Sequence, residues 1–189
     1  MILNKRFGFA AVLLALALAV SASAVGASTR SVNLSLTGTS NWTPADFGTV
    51  SSFAIQGTFD DTLGQGSRLH SGSYSGTLTA GTYGSPAACP DFSPNSYNAA
   101  PVSGTITLVT KSGTITTAVQ PGGLVCNSTT GRGLEAAVFD LTLEVMGGMK
   151  AYAGATGILA LHYSSEWIFP LFAPPEQQDF GTLTGTIVR

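Results

Sequence analysis

The chain has 189 residues, of which only 10% are charged, and a formal net charge of −2. That balance excludes the basic footprint of a nucleic-acid binder and the polybasic run that draws a segment onto anionic lipid. With two cysteines and two histidines, no Cys-x-x-Cys and no clustered His, the sequence gives a structural metal site little support.

Residues 1–27 read as an export signal. Lys5 and Arg6 form its positive head, residues 7–20 an uncharged Ala/Leu-rich core, and Ala22-Ser23-Ala24 or Val25-Gly26-Ala27 the small-residue cleavage site. The core is short of the roughly 20 apolar residues that span a bilayer. The expectation is a signal helix removed after Ala24 or Ala27, no transmembrane anchor afterwards, and a secreted or extracytoplasmic protein; the style of the signal is bacterial. Residues 28–189 are then one domain, in which six Lys and Arg face ten Asp and Glu.

From here the chain repeats one short element, Gly-Thr-Leu/Ile-Thr/Val, at Gly76, Gly104, Gly113, Gly181 and Gly185. It alternates polar and apolar or glycine residues, the period of a strand with one wet and one buried face. Val32, Leu34 and Leu36 mark a first strand, closed by a loop at Asn41-Trp42-Thr43-Pro44. Phe53, Ile55, Gly57 and Phe59 mark the second, ended by Asp60-Asp61. Tyr74, Gly76, Leu78 and Ala80 mark the third. The stretch 81–101, with four prolines, reads as a long irregular connection. Val102, Gly104, Ile106 and Leu108 give the fourth strand, and a tight turn at Lys111-Ser112-Gly113 leads into a fifth over 114–119.

Residues 120–133 read as another loop. Phe139, Leu141, Leu143 and Val145 mark the sixth strand, with Asp140, Thr142 and Glu144 on its other face. The seventh covers 158–163, apolar on both faces, and Leu183, Gly185 and Ile187 mark the last. Eight short strands without helical periodicity give an all-β domain, a sandwich or a barrel. Glycines inside strands, at 57, 76, 104, 157 and 185, are the coiling points a closed sheet needs, so the expected fold is a single eight-stranded antiparallel β-barrel, with a β-sandwich as the alternative.

Cys89 and Cys126 fall in the two Gly/Pro-rich connections. In an oxidising compartment they are expected to form one disulfide.

The stretch Gly147-Gly148-Met149-Lys150-Ala151-Tyr152-Ala153-Gly154-Ala155-Thr156-Gly157 resembles the turn-and-strand signature of the allene oxide cyclase-like and dirigent-like barrels, including their exported bacterial members. Gly147, Gly148, Gly154, Ala155 and Gly157 match it, Tyr152 stands where an aromatic is expected, and Lys150 replaces a glycine. A second, weaker likeness runs from Gly66 through His70 to Gly76. The resemblance implies an eight-stranded antiparallel barrel whose signature glycines serve the fold. No functional residue of the plant enzymes has a counterpart here.

No nucleophile elbow is present, because Tyr74 holds the serine position in Gly72-Ser73-Tyr74-Ser75-Gly76, and there is no phosphate-binding loop. His70 and His162 could form a site only if closure brought their strands together. Glu144 becomes an acid of interest only if its face turns inward. The segment from Glu166 to Pro175 packs Trp167, Phe169 and Phe172 among prolines, either as a cover over one end of the domain or as a docking patch. His70, Tyr74, Glu144, His162, Trp167, Phe169 and Phe172 are thus the candidate ligand-binding positions, with no catalytic set, cofactor or metal. The expected function is a non-catalytic exported barrel binding a small apolar ligand or a cell-surface component. A cyclase or isomerase like allene oxide cyclase and a structural envelope protein are the alternatives.

Overall fold

The structure is a computed structural model that describes residues 27–44, 50–62, 69–84, 97–128, 136–168 and 176–189. Among these residues lie nine strands: β1 (Thr29–Pro44), β2 (Val50–Asp61), β3 (Ser71–Ala80), β4 (Tyr97–Thr110), β5 (Gly113–Val119), β6 (Leu124–Ser128), β7 (Ala136–Lys150), β8 (Thr156–Ile168) and β9 (Glu176–Val188). All pair antiparallel in one sheet, and the sheet closes. β1 pairs with β9 and β3 with β4, so no wall strand is left with an open edge. Each strand lies beside its sequence neighbour, the up-and-down order. The sandwich alternative is overturned by this closure.

The ninth strand lies within the stretch 120–133 that the sequence reads as loop. β5 and β6 share one wall position, both lying between β4 and β7. The break between them is stitched on both sides: Gln120 N donates to Thr142 O at 2.8 Å and Val102 N to Gly123 O at 2.9 Å. The closed wall therefore has eight positions and nine strands. Trp42 and Pro44, expected in a loop, lie in the last turn of pairing of β1, and the connection after β3 ends at Tyr97.

The alternation read from the sequence holds face by face. Val32, Leu34 and Leu36 are buried, as are Phe53, Ile55 and Phe59, Leu78, Ile106 and Leu108, and Phe139 to Val145 at every second residue. β8, apolar on both faces in sequence, turns Leu159, Leu161 and Tyr163 inward and leaves Ile158 and His162 outside. The outer wall is dominated by threonine and serine hydroxyls. That is the reverse of a membrane-spanning barrel, whose lipid-facing side is apolar.

A narrow lumen cannot hold large side chains from every strand, and the glycines resolve this. Gly57 lies opposite Tyr74, Gly104 opposite Leu78, Gly185 opposite Leu159 and Gly157 opposite Ile187. Each inward glycine makes room for a bulky inward neighbour across the ladder, the small-beside-large packing of small barrels. A Cβ on Gly57 would stand 2.8 Å from the Tyr74 ring.

The signature stretch builds the end of β7 and the turn into β8. Opposite the consecutive Thr116 and Thr117 of β5, β7 presents Gly147 and Val145, so Met146 is the extra residue of a bulge. Gly147 there has φ 130°, and Lys150 adopts φ 55°, the left-handed conformation that glycine takes at no cost. Tyr152 and Ala155 are both 1% exposed, so this turn folds its aromatic inward against the core.

The two ends of the barrel differ. The β4–β5 and β7–β8 turns, the start of β1 and the end of β9 lie at one, here called the hairpin end. The strand ends bordering 45–49, 85–96, 129–135 and 169–175 all lie at the other, the loop end.

Candidate functional site

Closure gathers a polar cluster inside the wall toward the loop end. Asp179 lies on β9 four residues before Leu183 and eight before Ile187, so strand parity turns it inward, and it is 3% exposed. Tyr163 and Ser165 come from the adjacent β8, and Ser40 and Trp42 from β1 on the other side. Tyr163 Oη donates to Asp179 Oδ2 at 2.6 Å and Ser165 Oγ to Asp179 Oδ1 at 2.7 Å. Ser40 Oγ lies 2.7 Å from Ser165 Oγ and 3.4 Å from Asp179 Oδ1.

Above this layer, Trp42 Nε1 donates to Ser40 Oγ at 2.8 Å and to Ser165 Oγ at 3.2 Å. Gln177 Nε2 donates to Ser165 Oγ at 3.1 Å and also reaches Ser40. Every proton in the set runs toward Asp179, with no cation described beside it. A carboxyl group in an apolar lumen needs such donors, because a buried polar atom left without partners costs about 1–3 kcal/mol.

Below Asp179 the chain of contacts continues into the lumen. Since Tyr163 gives its proton to Asp179, Tyr74 Oη donates to Tyr163 Oη, at 3.1 Å. Burial, and then the neighbouring charge of Asp179, push the Tyr74 phenol up to about 12, although its bond to Tyr163 pulls the other way. Burial, reinforced by the bonds to Asp179 and Tyr74, raises Tyr163 further still. Both phenols therefore keep their protons through the neutral range and act as donors, not as bases.

Aromatic rings occupy the lumen at this level. Trp42 meets Phe53 edge-on at 5.7 Å between centroids, Phe53 meets Phe139 at 4.7 Å, Phe139 meets Tyr163 at 6.0 Å, and Tyr163 meets Tyr74 at 6.1 Å. This column crosses the barrel from wall to wall.

The other candidate positions scatter. His70 is exposed just before β3 at the hairpin end; His162 is exposed on the outer wall of β8. In the ring of wall positions β3 and β8 stand opposite, so closure does not bring the two histidines together. Glu144 faces outward and accepts a bond from Gln120 Nε2 at 2.6 Å; its face does not turn in.

Tyr74 alone of the seven is inside and described by its side chain. Trp167 lies in β8, paired with Gln177, while Phe169, Phe172 and Cys89 lie outside the described residues. Cys126 is not in a loop but in β6, 6% exposed, and no cysteine among the described residues is free.

Sequence reasoning passed over Ser40, Trp42, Ser165, Gln177 and Asp179. The usable signal was parity: Asp179 shares a face with Leu183, and Ser165 with Leu161. It also passed over the pair of His162 Nδ1 with Asp140 Oδ1, 2.6 Å apart on the outer wall, where both side chains are more than half exposed. Their depression of about 270 Å³ is otherwise lined by threonines, Gly122, Ala160, Leu141 and Leu161. A larger open one, about 670 Å³, lies outside Gly38 and Gly57, where the wall sinks toward Tyr74. Among the described residues no group of three metal-ligating side chains forms.

The fold and site define a small closed antiparallel barrel with a packed middle and a polar, aromatic-rimmed mouth. No protein-family model matches the chain, and no curated protein matches its sequence.

Proposed function

We propose that this chain is an exported, non-catalytic barrel that holds a small, largely apolar molecule at its loop end, with the hydrogen-bonding end of that molecule on the Trp42–Gln177–Ser40–Ser165 cluster. One observation carries the reading: aromatic side chains fill the middle of the lumen, while the long connections and the polar cluster meet at a single end. A rigid scaffold with variable loops at one end is where recognition concentrates. The segment 169–175, which carries Phe169 and Phe172 in sequence, joins β8 to β9, whose bordering strand ends lie at that same end of the barrel.

Mass spectrometry of a solvent extract of the purified protein tests this. A discrete small molecule is expected from the parent and at most about a tenth as much from Gln177→Leu, the loss of roughly 1.4 kcal/mol of binding. An extract identical to that of a mock purification overturns it. The cyclase alternative needs a preformed pocket rather than acid–base groups, and is less well served by a lumen whose middle is filled with aromatic rings. The structural-envelope alternative shares the packed middle and the satisfied Asp179 cluster but gives the loop end no occupant.

The kinship with allene oxide cyclase-like barrels is part of the same proposal. It is supported by Lys150, which takes a glycine conformation where the signature has glycine, and by the buried Tyr152.

We also propose the Cys89–Cys126 bridge. Gly84 N bonds to Ala99 O of β4 at 2.7 Å, and Ala99 pairs with Cys126, so the connection bearing Cys89 starts one strand away from Cys126, five residues before Cys89. Asn127 Nδ2 donates to Tyr83 Oη at 2.9 Å and ties the same two segments. Thiol titration of the denatured, unreduced protein is expected to find no free thiol; two would refute the bridge.

A further inference from the structure

The barrel's charge is not spread evenly over its two ends. Arg30, Lys111, Lys150 and Arg189 are all the lysines and arginines among the described residues, and all four lie at the hairpin end. None makes an ion pair among the described residues, where the one such pair is His162 with Asp140. No basic run in the sequence encodes this; folding assembles it from four separate segments.

The exposed large apolar residues follow the same bias. Val109, Met146, Met149 and Ile158 are 41%, 62%, 63% and 52% exposed and lie toward the hairpin end; of that set only Phe180 lies elsewhere. Val109 pairs with Thr114 and Thr114 with Met149, which makes one outward row across β4, β5 and β7. Lys111 and Lys150 flank it in the two adjoining turns, which Ala151 N clamps by donating to Ser112 O at 3.1 Å. The bulge at Met146 adds a third apolar side chain beside the row. Asp60 and Asp61 end β2 at this same end of the barrel, but four wall positions from β7 and so across the barrel from this face.

Where the chain leaves the structure points to what covers this face. Ser28 and Arg189 exchange backbone bonds of 2.9 and 3.2 Å, so residues 1–26 depart from the hairpin end. Seven residues separate Ser28 from the apolar run 7–20, at most about 25 Å of extended chain. While that run is in a bilayer, this end of the barrel is held within reach of the headgroups.

We propose that the hairpin end docks on an anionic lipid surface, with Lys111 and Lys150 on the headgroups and Val109, Met146 and Met149 at the acyl boundary. Lysines near such a surface are attracted by its negative potential. Apolar side chains among them enter the interface, as in other peripheral anchors. Two wall-end turns held together present this mixture without any helix. The proposal is independent of the ligand at the mouth, which lies at the opposite end.

The test is co-sedimentation of residues 28–189, which contain every strand of the closed barrel, with lipid vesicles. Vesicles of phosphatidylcholine alone are compared with vesicles that also contain phosphatidylglycerol. Pelleting with the anionic vesicles only, and weaker in high salt, is expected. Lys111→Glu combined with Lys150→Gly is expected to lower the affinity about tenfold or more. Glycine suits the backbone at position 150, so this variant should melt where the parent does. Met149→Ser is expected to weaken pelleting without changing its salt dependence.

Equal pelleting with both vesicle types overturns the proposal, as does none, or a double variant that binds like the parent. So does a double variant whose only change is loss of a dimer in analytical ultracentrifugation, which would make the face a contact between two copies.

Discussion

The Asp179→Ala protein is expected to melt about 10 °C below the parent. Asp179 is the single acceptor that Tyr163 and Ser165 share, at 2.6 and 2.7 Å. Removing it leaves two hydroxyl protons, and through them Tyr74 and Ser40, in a layer shut off from water. Stranding buried donors of this kind costs about 3 kcal/mol in sum. For a domain of this size each kcal/mol is about 3 °C of melting temperature.

Asp179→Asn preserves the shape but places two N–H donors among donors, so it should fall between alanine and parent. Tyr163→Phe should cost about 1–2 kcal/mol, because it removes one bond to Asp179 and one from Tyr74 while keeping the ring in the aromatic column. Thermal melts followed by near-ultraviolet circular dichroism give all three. An Asp179→Ala protein within about 1 kcal/mol of the parent would mean that water reaches the cluster and satisfies it, and would open the mouth deeper than the packing indicates.

Gly185→Ala should be among the most damaging single methyls in the wall. Position 185 has φ 142°, and a Cβ there would lie 2.3 Å from Ile158 O and 2.9 Å from Leu159 Cα, both backbone atoms of the neighbouring strand. Backbone strain and overpacking together come to about 4 kcal/mol. Two further glycines separate the causes. Gly147 has φ 130° with nothing within 4 Å of the added atom, so Gly147→Ala isolates strain, about 1–2 kcal/mol. Gly84 has open space and no such backbone, so Gly84→Ala should change stability by less than about 0.5 kcal/mol. Urea unfolding of the three proteins should rank them in that order. If Gly185→Ala unfolds no earlier than Gly147→Ala, the small-beside-large account of the lumen is wrong.

The wall was legible in the sequence because period two survives folding unchanged. Leu34, Phe53, Ile55, Leu78, Ile106, Leu143 and Leu183 are inward for the reason that their spacing gives. β6 was not legible: Leu124-Val125-Cys126 is too short to show alternation and follows Pro121-Gly122-Gly123, which reads as a turn. Only the offer of open backbone by both β4 and β7 makes it a strand.

The site was less legible than the wall. A cluster of Ser40, Ser165 and Asp179 depends on β1, β8 and β9 becoming neighbours, which is a property of closure and not of any segment. Histidines drew notice because they are rare and titrate near neutrality, yet both are outside. Tyr74 was found for its place between glycines. Its partner Tyr163 was counted as a strand end.

β9 holds two neighbours at once, β1 on one side and β8 on the other, and it is the last strand made. Until residue 176 and those after it have emerged, the seven earlier wall positions form an unfinished sheet with two raw borders and Asp179 missing from between Tyr163 and Ser40. A chain made from its amino end therefore leaves the ring unsealed until β9 has appeared. The same thirteen residues that finish the ring also deliver its innermost acid.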